Sequence, residues 1–438
     1  MRIEQSLKES WLKEENEKLK NNKRKYLHFD RRISFLNKKK VSDIWTSNLV
    51  IRHSFYPLIR REKRYRKYKR IPGTKRKQIT EKIRPISYAA HYDALIFSWY
   101  SCLLKDLYEI KIKNLEIDSN IKAYRKLNKG NADFASEIID YVKTKKKCMV
   151  MSFDLSKFFD NLDHELIKTR WKELIEEEKL PDDHFFIFKN ITKFSFIEYA
   201  DIKELLKKGK KINRICDPKE LKTLIRNNPD ILKKNLLNKG IPQGSTISDT
   251  LSNLYMLPID QKMSTLLSNC SGLYQRYCDD IIIVCSESDA DKIEKELKKE
   301  IEKNKMNLNK SKTEKKVFTN NQGGNQVIDF FTKYSSKIQY LGIEFDGERS
   351  FLRHSGIANY YRKMTRSIKK FAARAKRKKR AFPVKKVFKN FFYSRKCNYL
   401  SYAQRVSVIL NSPSIKEQVS KFRVMKKIKK KMKKSTRK

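Results

Sequence analysis

The chain has 438 residues, enough for a sizeable hydrophobic core and for one to three domains. Its 102 Lys and Arg residues stand against 50 Asp and Glu, and the resulting net charge of +52 indicates a polyanionic partner such as nucleic acid. Seven cysteines without a Cys-x-x-Cys pair exclude a zinc ribbon, and no apolar stretch is long enough for a signal peptide or a membrane span. We therefore expect a cytoplasmic protein without a membrane partner.

Residues 1–70 are predicted to form a basic N-terminal extension with few apolar anchors. The last eleven of them include eight basic side chains with two tyrosines interleaved. Tyrosine rings can stack on unpaired bases while neighbouring cations neutralise phosphates. The candidate nucleic-acid contacts in this stretch are Arg64, Tyr65, Arg66 and Tyr68. A charge run is also typical of a solvated face, so that alternative stays open.

The pair Pro72-Gly73 marks a turn, and a larger domain is predicted to follow it over residues 71–346. A short β-prone stretch near its start contains Arg84, and apolar residues then recur at helical intervals to about residue 145. The next strand is apolar from Cys148 and ends in Asp154. An acidic residue at the end of a buried strand has a fixed backbone and can present its carboxylate to a ligand.

The segment between this acid and Pro242 is longer than a compact domain needs. An insertion is predicted at about residues 203–238, where the chain is rich in lysine and weakly apolar. It could meet RNA or a second subunit, or it could be a mobile loop. The sequence Gly240–Ser245 follows and precedes a stretch that is predicted to be helical.

Two β-prone stretches meet at the pair Asp279 and Asp280, which predicts a hairpin with two carboxylates at its tip. Crowded carboxylates repel each other, and a divalent cation is the usual relief. An isolated Asp-Asp pair would more often be a solvated turn. Here the pair follows the other two motifs in order, which favours a shared site.

The C-terminal part, residues 347–438, is predicted to consist of basic helices. Residues 421–438 carry eleven bases and no acid, and we expect this tail to be partly disordered. Arg377 and Arg380 lie in an earlier basic run and are candidate contacts to a nucleic-acid duplex.

In this order, Asp154, Gly240–Ser245 and Tyr277–Asp280 resemble the palm motifs of reverse transcriptases of the group II intron and retron type. The resemblance extends to Lys82–Ile86, to Leu308–Thr313 and to the hairpin called the primer grip at Tyr340–Phe345. It implies an α+β fold of the right-hand polymerase type. In that fold residues 71–346 form the fingers and a palm with an antiparallel sheet, and residues 347–438 form a helical basic thumb and tail.

The resemblance also implies roles for individual residues. Two Mg²⁺ ions, with Mn²⁺ as an alternative, would support nucleotidyl transfer. The implied metal ligands are Asp154, Asp279, Asp280 and Leu155. Lys312 matches a lysine proposed to protonate the leaving pyrophosphate, so the implied catalytic set is the three acids and Lys312. The implied nucleotide-binding residues are Arg84, Phe159, Gln243, Gly244 and Tyr277, with Phe159 blocking the ribose 2′-hydroxyl.

The predicted activity is that of an RNA-directed DNA polymerase with an RNA template, deoxynucleoside triphosphates and a DNA product. The chain lacks the Asn-Ala-x-x-His and Val-Thr-Gly motifs usual in retron enzymes. It therefore resembles most the stand-alone defence-associated enzymes, some of which copy a cognate non-coding RNA. A retron or group II intron enzyme, an RNA-dependent RNA polymerase and a non-catalytic RNA-binding protein are the alternatives, and a homo-oligomer is compatible with each.

Overall fold

The computed structural model describes residues 5–21, 26–70, 77–205, 213–321, 324–392 and 398–436, with the backbone alone described at 67–70, 77, 321 and 436. The strands in chain order are β1 (Leu58–Arg70), β2 (Lys77–Tyr88), β3 (Lys147–Asp154), β4 (Ser195–Glu198), β5 (Lys233–Lys234), β6 (Leu273–Tyr277), β7 (Asp280–Cys285), β8 (Glu314–Asn321), β9 (Gly324–Asp329), β10 (Ile338–Tyr340), β11 (Ile343–Phe345) and β12 (Ser350–Leu352). The α-helices are Gln5–Lys20, Lys38–Val41, Ser47–Ile51, His91–Asn114, Asn131–Lys143, Phe158–Asn161, His164–Ile175, Asp182–Thr192, Pro218–Asn227, Ser248–Asn269, Ala290–Lys303, His354–Arg377, Val384–Phe391, Tyr399–Ile409, Pro413–Gln418 and Lys421–Thr436.

The chain divides into two compact units, and each is built from three separate segments. The first unit comprises Met1–Tyr124, Leu155–Lys262 and Lys298–Leu308, and the second comprises Arg125–Asp154, Met263–Leu297 and Asn309–Lys438. The predicted α+β class is confirmed, and the five-stranded sheet is antiparallel throughout, whereas the four-stranded sheet also contains the parallel pair β1 and β4. The unit boundaries do not coincide with the boundaries predicted at residues 70 and 346, because strands distant in sequence pair within one sheet.

The first unit contains a four-stranded sheet in the order β2-β1-β4-β5. Strands β1 and β2 pair along their whole length, from Ile59 opposite Tyr88 to Arg70 opposite Lys77. Strand β1 pairs with β4 only at Leu58–Arg60, in the parallel direction. The rest of the hairpin is thus a two-stranded ribbon, and the boundary predicted at residue 70 falls inside it. Residues 1–70 are therefore not a separate extension.

The N-terminal helix Gln5–Lys20 is also integrated into the first unit. Trp11 is 2% exposed, and its ring lies 5.5 Å from that of Trp99 in an edge-on arrangement. Ser98 donates a hydrogen bond of 2.6 Å to the buried carboxyl of Glu15. The sparse apolar residues of this segment contribute to a shared core, although they could not form a core alone.

The predicted insertion at 203–238 has secondary structure of its own in its described part. The helix Pro218–Asn227 begins with a capping box in which Asp217 accepts from the backbone of Lys219 and Glu220. Leu221 is buried in a cluster that also contains Phe29. Residues 213–238 are therefore not an unstructured loop.

The second unit contains a five-stranded antiparallel sheet in the order β6-β7-β3-β8-β9 and a three-stranded sheet in the order β10-β11-β12. Strand β3 lies at the centre, and its apolar residues Cys148–Met151 are buried. The turn between β10 and β11 consists of Leu341 and Gly342, with φ values of 46° and 88°. Two positive φ values match the twist that a tight hairpin requires.

The C-terminal helices of the second unit pack through apolar faces. In the helix Lys421–Thr436, Val424 and Ile428 are wholly buried, and the Nζ atom of Lys427 lies 3.6 Å from the ring centroid of Tyr361. The expectation of a disordered tail was wrong for residues 421–436, because apolar residues at four-residue spacing give this basic helix a buried stripe. Among the described helices, none is long and apolar enough to cross a bilayer.

Candidate functional site

Asp154 and Asp280 face each other in the central sheet of the second unit. Asp154 is the last residue of β3, Asp280 is the first residue of β7, and the two are directly paired in the antiparallel register. Side chains of directly opposed residues project from the same face of a sheet. The carboxylates of Asp154 and Asp280 are therefore placed side by side at the end of the strand pair. Asp279 immediately precedes Asp280 in the sequence.

The hairpin that carries these acids has a two-residue loop. Tyr277 pairs with Asp280, which leaves Cys278 and Asp279 in the loop. Cys278 has a φ of 59°, a left-handed conformation that is uncommon for a residue other than glycine. The Nη1 atom of the wholly buried Arg276 donates to the carbonyl oxygen of Cys278 over 3.1 Å. A buried cation thus fixes the turn that presents the acids.

The carboxyl group of Asp154 is held from both sides. The ammonium of Lys312 donates to its Oδ1 atom, and the Nδ2 atom of Asn309 lies 3.3 Å from its Oδ2 atom. The backbone nitrogen of Asn309 also donates to the carbonyl oxygen of Asp154 over 2.8 Å. The turn Lys310–Lys312 begins at Asn309, so one short segment supplies all three contacts.

The surroundings of Asp280 disfavour the ionised form of its carboxyl group. Desolvation, followed by the charges of Asp279 and Asp154, raises the pKa of Asp280 to about 6, against opposing effects of Lys312 and Arg353. The side chain of Asp280 nevertheless remains accessible to solvent. A divalent cation would relieve the repulsion between these carboxylates.

The donor set fits Mg²⁺ chemically. Carboxylate oxygens are its preferred protein ligands, and it is usually held by one or two carboxylates together with water and substrate phosphates. Within the described residues, no group of three or more His, Cys, Asp or Glu side chains is arranged to hold a metal ion by itself. Asp154 and Asp280 would therefore supply a partial site. Leu155 could contribute only its backbone carbonyl, because its buried side chain has no ligand atom.

Four of the residues predicted to bind the nucleotide, Arg84, Phe159, Gln243 and Gly244, lie in the first unit. The loop that contains Gln243 and Gly244 contacts both Phe159 and strand β2. The nitrogen of Ile241 donates to the carbonyl of Phe159 over 2.9 Å, and the nitrogen of Ser87 donates to the carbonyl of Gln243 over 2.8 Å. Gly244 has a φ of 106°, and a Cβ atom there would lie 2.6 Å from the carbonyl oxygen of Ser87. Glycine is thus required at 244 because strand β2 approaches closely.

Arg84 lies on β2 three residues before this contact and is exposed. Its guanidinium carbon lies 5.8 Å from the ring centroid of Tyr65, and the Nζ atom of Lys63 lies 5.2 Å from the same centroid. The register places Lys63 opposite Arg84 and Tyr65 opposite Lys82. These four side chains therefore share one face of the ribbon, which has no acid among them.

Arg64 and Arg66 project from the other face of the ribbon. Arg64 forms an ion pair of 2.9 Å with Glu62, and Arg66 forms one of 3.1 Å with Glu81. Of the four residues predicted from the sequence as nucleic-acid contacts in this stretch, Tyr65 thus lies on one face and Arg64 and Arg66 on the other. The side chain of Tyr68 lies outside the described ones.

The remaining predicted residues are in the second unit. Tyr277 is half-buried, with its ring centroid 6.1 Å from that of Phe134. Arg377 ends the helix His354–Arg377, Arg380 follows it, and both are exposed. The second unit also brings together the four predicted catalytic residues, Asp154, Asp279, Asp280 and Lys312.

Sequence reasoning missed three residues of the site. Asn309 lies within the motif Leu308–Thr313, but an amide that contacts a distant acid has no sequence signal of its own. Arg276 lies in a β-prone stretch, and an arginine beside a predicted carboxylate turn is the only signal that points to it. Arg353, which lowers the pKa of Asp280, lies more than 70 residues further along the chain.

Residues 74–345 match the family model described as reverse transcriptase (RNA-dependent DNA polymerase). No curated protein sequence matches the chain. Similar solved structures include a telomerase from Candida tropicalis truncated from its C-terminal domain, with 11% identity, a TM-score of 0.41 and coverage of 70% of this chain and 58% of that one. A telomerase from Candida albicans in complex with a fragment of telomeric RNA has 13% identity, the same TM-score and coverage of 91% and 65%. The chain thus spans about three fifths of the length of these solved chains.

Proposed function

The chain belongs to the reverse transcriptase family, the RNA-dependent DNA polymerases, and we propose that it extends a primer on an RNA template through Asp154, Asp279 and Asp280. The family assigns it to the nucleotidyltransferases. The observation that carries the proposed site is the direct pairing of Asp154 with Asp280 beside the Asp279 turn. A purely structural role would not require two carboxylates placed so that desolvation, together with their mutual repulsion, raises the pKa of Asp280.

The proposed chemistry joins a primer 3′-hydroxyl to the α-phosphate of a deoxynucleotide and releases pyrophosphate. Two bound Mg²⁺ ions would activate the attacking oxygen and neutralise the leaving group. The acids would hold the ions, and Asn309 would orient Asp154 through its side-chain amide. Lys312, whose ammonium contacts Asp154, would supply a proton within the site.

Selection of the incoming nucleotide is proposed for residues of the first unit. Phe159 is half-buried and lies in the short helix Phe158–Asn161, so its ring could exclude a 2′-hydroxyl. Gln243 and Gly244 are fixed against the end of β2. The guanidinium of Arg84 is exposed and suited to bidentate binding of a triphosphate.

The test is primer extension by the full chain on RNA and DNA templates of one sequence, with deoxynucleotides or ribonucleotides. We expect Mg²⁺-dependent extension on RNA with a clear preference for deoxynucleotides. Equal use of both sugars would favour the RNA-dependent RNA polymerase alternative. RNA binding without extension in Mg²⁺ or Mn²⁺ would favour a non-catalytic RNA-binding protein.

We further propose a role in bacterial anti-phage defence with a cognate non-coding RNA as the template. The support is the set of reverse transcriptase motifs without the Asn-Ala-x-x-His and Val-Thr-Gly motifs usual in retron enzymes. Sequencing the nucleic acid that co-purifies from the native host tests this role. One enriched non-coding RNA and its complementary DNA are expected, whereas intron or retron RNA would assign the chain to those enzymes.

A further inference from the structure

A short loop of the second unit presents two large aromatic rings to solvent. It connects β9 to β10, and in it Phe331 is 67% exposed and Tyr334 is 78% exposed. A third ring, Phe330, packs edge-on against Phe331 with centroids 5.4 Å apart. Exposed aromatic rings are costly in water, so two of them in one loop suggest an interaction surface.

The loop is held in a defined conformation by Asp329. The Oδ1 atom of this residue accepts hydrogen bonds from the backbone nitrogens of Phe331 and Thr332, at 3.1 and 3.0 Å. Its Oδ2 atom lies 2.6 Å from the ammonium of Lys316. The backbone nitrogen of Asp329 also donates to the carbonyl of Tyr334 over 2.9 Å. Both exposed rings are therefore carried by a fixed backbone, and less freedom is lost when a ligand binds.

The loop that carries these rings is basic. Residues 330–340 contain two lysines and no acid. The Nζ atom of Lys333 lies 4.4 Å from the ring centroid of Phe330, and that of Lys337 lies 4.0 Å from the centroid of Phe351. Asp329 is the nearest acid in sequence, and its charge is compensated by Lys316.

We propose that Phe331 and Tyr334, with Lys333 and Lys337, form a stacking site for unpaired nucleotides of a single-stranded nucleic acid. Sites of this kind combine exposed rings that stack on bases with cations that neutralise the backbone. The nucleic acid would be an unpaired segment of the RNA template or of the DNA product, and to that extent the inference rests on the proposed function. The acids of the catalytic site are not part of it.

A single strand fits this loop better than a protein partner does. Residues 330–340 contain two lysines and no acid, and the whole chain carries a net charge of +52, so a polyanion is favoured over a second copy of the chain. A duplex hides its base faces, whereas a single strand offers them for stacking. Preference for single strands over duplex is therefore the property that the rings should supply.

The test is a titration of the full chain, without divalent metal, with fluorescent oligouridylate, oligothymidylate and a duplex, each of about 20 nucleotides. The variant is Phe331→Ala/Tyr334→Ala. Stacking is worth about 1–3 kcal/mol per base, so loss of even one stacked base should lower single-strand affinity at least about fivefold, and loss of both should lower it further, while duplex affinity changes little. A loss for oligouridylate alone identifies the template as the ligand, and a loss for oligothymidylate alone identifies the product.

Two matched variants control this experiment. Phe331→Tyr/Tyr334→Phe keeps both rings and should bind like the wild type. Phe185→Ala removes a ring that is 44% exposed in the first unit and should have no effect. The inference is overturned if the double alanine variant binds single strands within a factor of about two of the wild type. It is also overturned if that variant loses self-association and keeps its affinity for RNA. Failure of the proposed function would appear separately, as absence of primer extension by the wild type.

Discussion

The buried guanidinium of Arg276 donates a hydrogen bond to the carbonyl oxygen of Cys278, the residue immediately before the acids Asp279 and Asp280. The contact spans only two residues, yet it joins the interior of the second unit to a loop in a left-handed conformation. Arg276 is thus a positioning residue. It stabilises the turn that determines where both carboxylates lie.

Arg276→Met should therefore reduce the rate of extension more than it reduces nucleic-acid binding. The thioether keeps much of the side-chain volume but leaves the Cys278 carbonyl without this donor, and we expect the single-turnover rate to fall about tenfold or more. Arg276→Lys should recover part of the rate, because it restores a cation. The measurement is single-turnover extension beside RNA affinity. If the fall in the extension rate is fully explained by the fraction of the variant that is unfolded, Arg276 has no positioning role.

Lys312→Met should tighten the binding of Mn²⁺ to the free protein. The ammonium of Lys312 contacts Asp154, so a metal ion must compete with it for that carboxylate. The measurement is Mn²⁺ binding by electron paramagnetic resonance, with the exposed neighbour variant Lys310→Met as the control. Unchanged or weaker Mn²⁺ binding in the Lys312 variant alone would contradict this competition.

Asp280→Asn should stabilise the metal-free protein above neutral pH. The pKa of Asp280 is raised from 3.8 to about 6, so its ionised form disfavours folding above about pH 6, and this penalty disappears as the pH falls below the unfolded pKa. Solvent screens this accessible group, so we expect a gain on the order of 1 kcal/mol. Thermal unfolding in chelator at about pH 8 and pH 4 measures it. A gain that persists at the lower pH would contradict the assigned cause.

The two faces of the β1/β2 ribbon should differ in their contribution to RNA binding. Lys63→Gln removes charge from the acid-free face, whereas Arg64→Gln removes an arginine that is ion-paired with Glu62. The first variant should lower the salt dependence of single-strand affinity by up to about 0.7 log units, and the second by less. Titration at several salt concentrations measures both slopes. Equal slopes for the two variants would show that the faces are equivalent.

The sequence was sufficient for the elements that depend on local patterns. The apolar run before Asp154 predicted β3, and the β-prone stretches around Asp279 and Asp280 predicted the β6/β7 hairpin. The stretch predicted to be helical after Gly240–Ser245 is present as the helix Ser248–Asn269. Burial of one face of a strand or helix determines the spacing of its apolar residues, and this spacing is visible in the sequence.

Features that depend on distant residues were not predictable in this way. The charge of residues 60–70 indicates an extension, whereas their β-strand pairing depends on residues 77–88. The charge of the tail indicates partial disorder and obscures the apolar positions Val424 and Ile428, which are buried. The contact of Gly244 with Ser87 joins residues far apart in sequence, and no local pattern reports such a contact.

The most direct measurement is single-turnover primer extension on an RNA template by Asp154→Asn/Asp279→Asn, compared with the wild type in the same Mg²⁺ buffer. Loss of two metal-binding carboxylates should reduce the rate at least about a hundredfold, while RNA affinity stays close to that of the wild type, because the basic surfaces are unchanged. Asp230→Asn, which changes an exposed acid of the first unit, should extend normally. Extension by the double variant at the wild-type rate would contradict the assignment of these acids as the catalytic site.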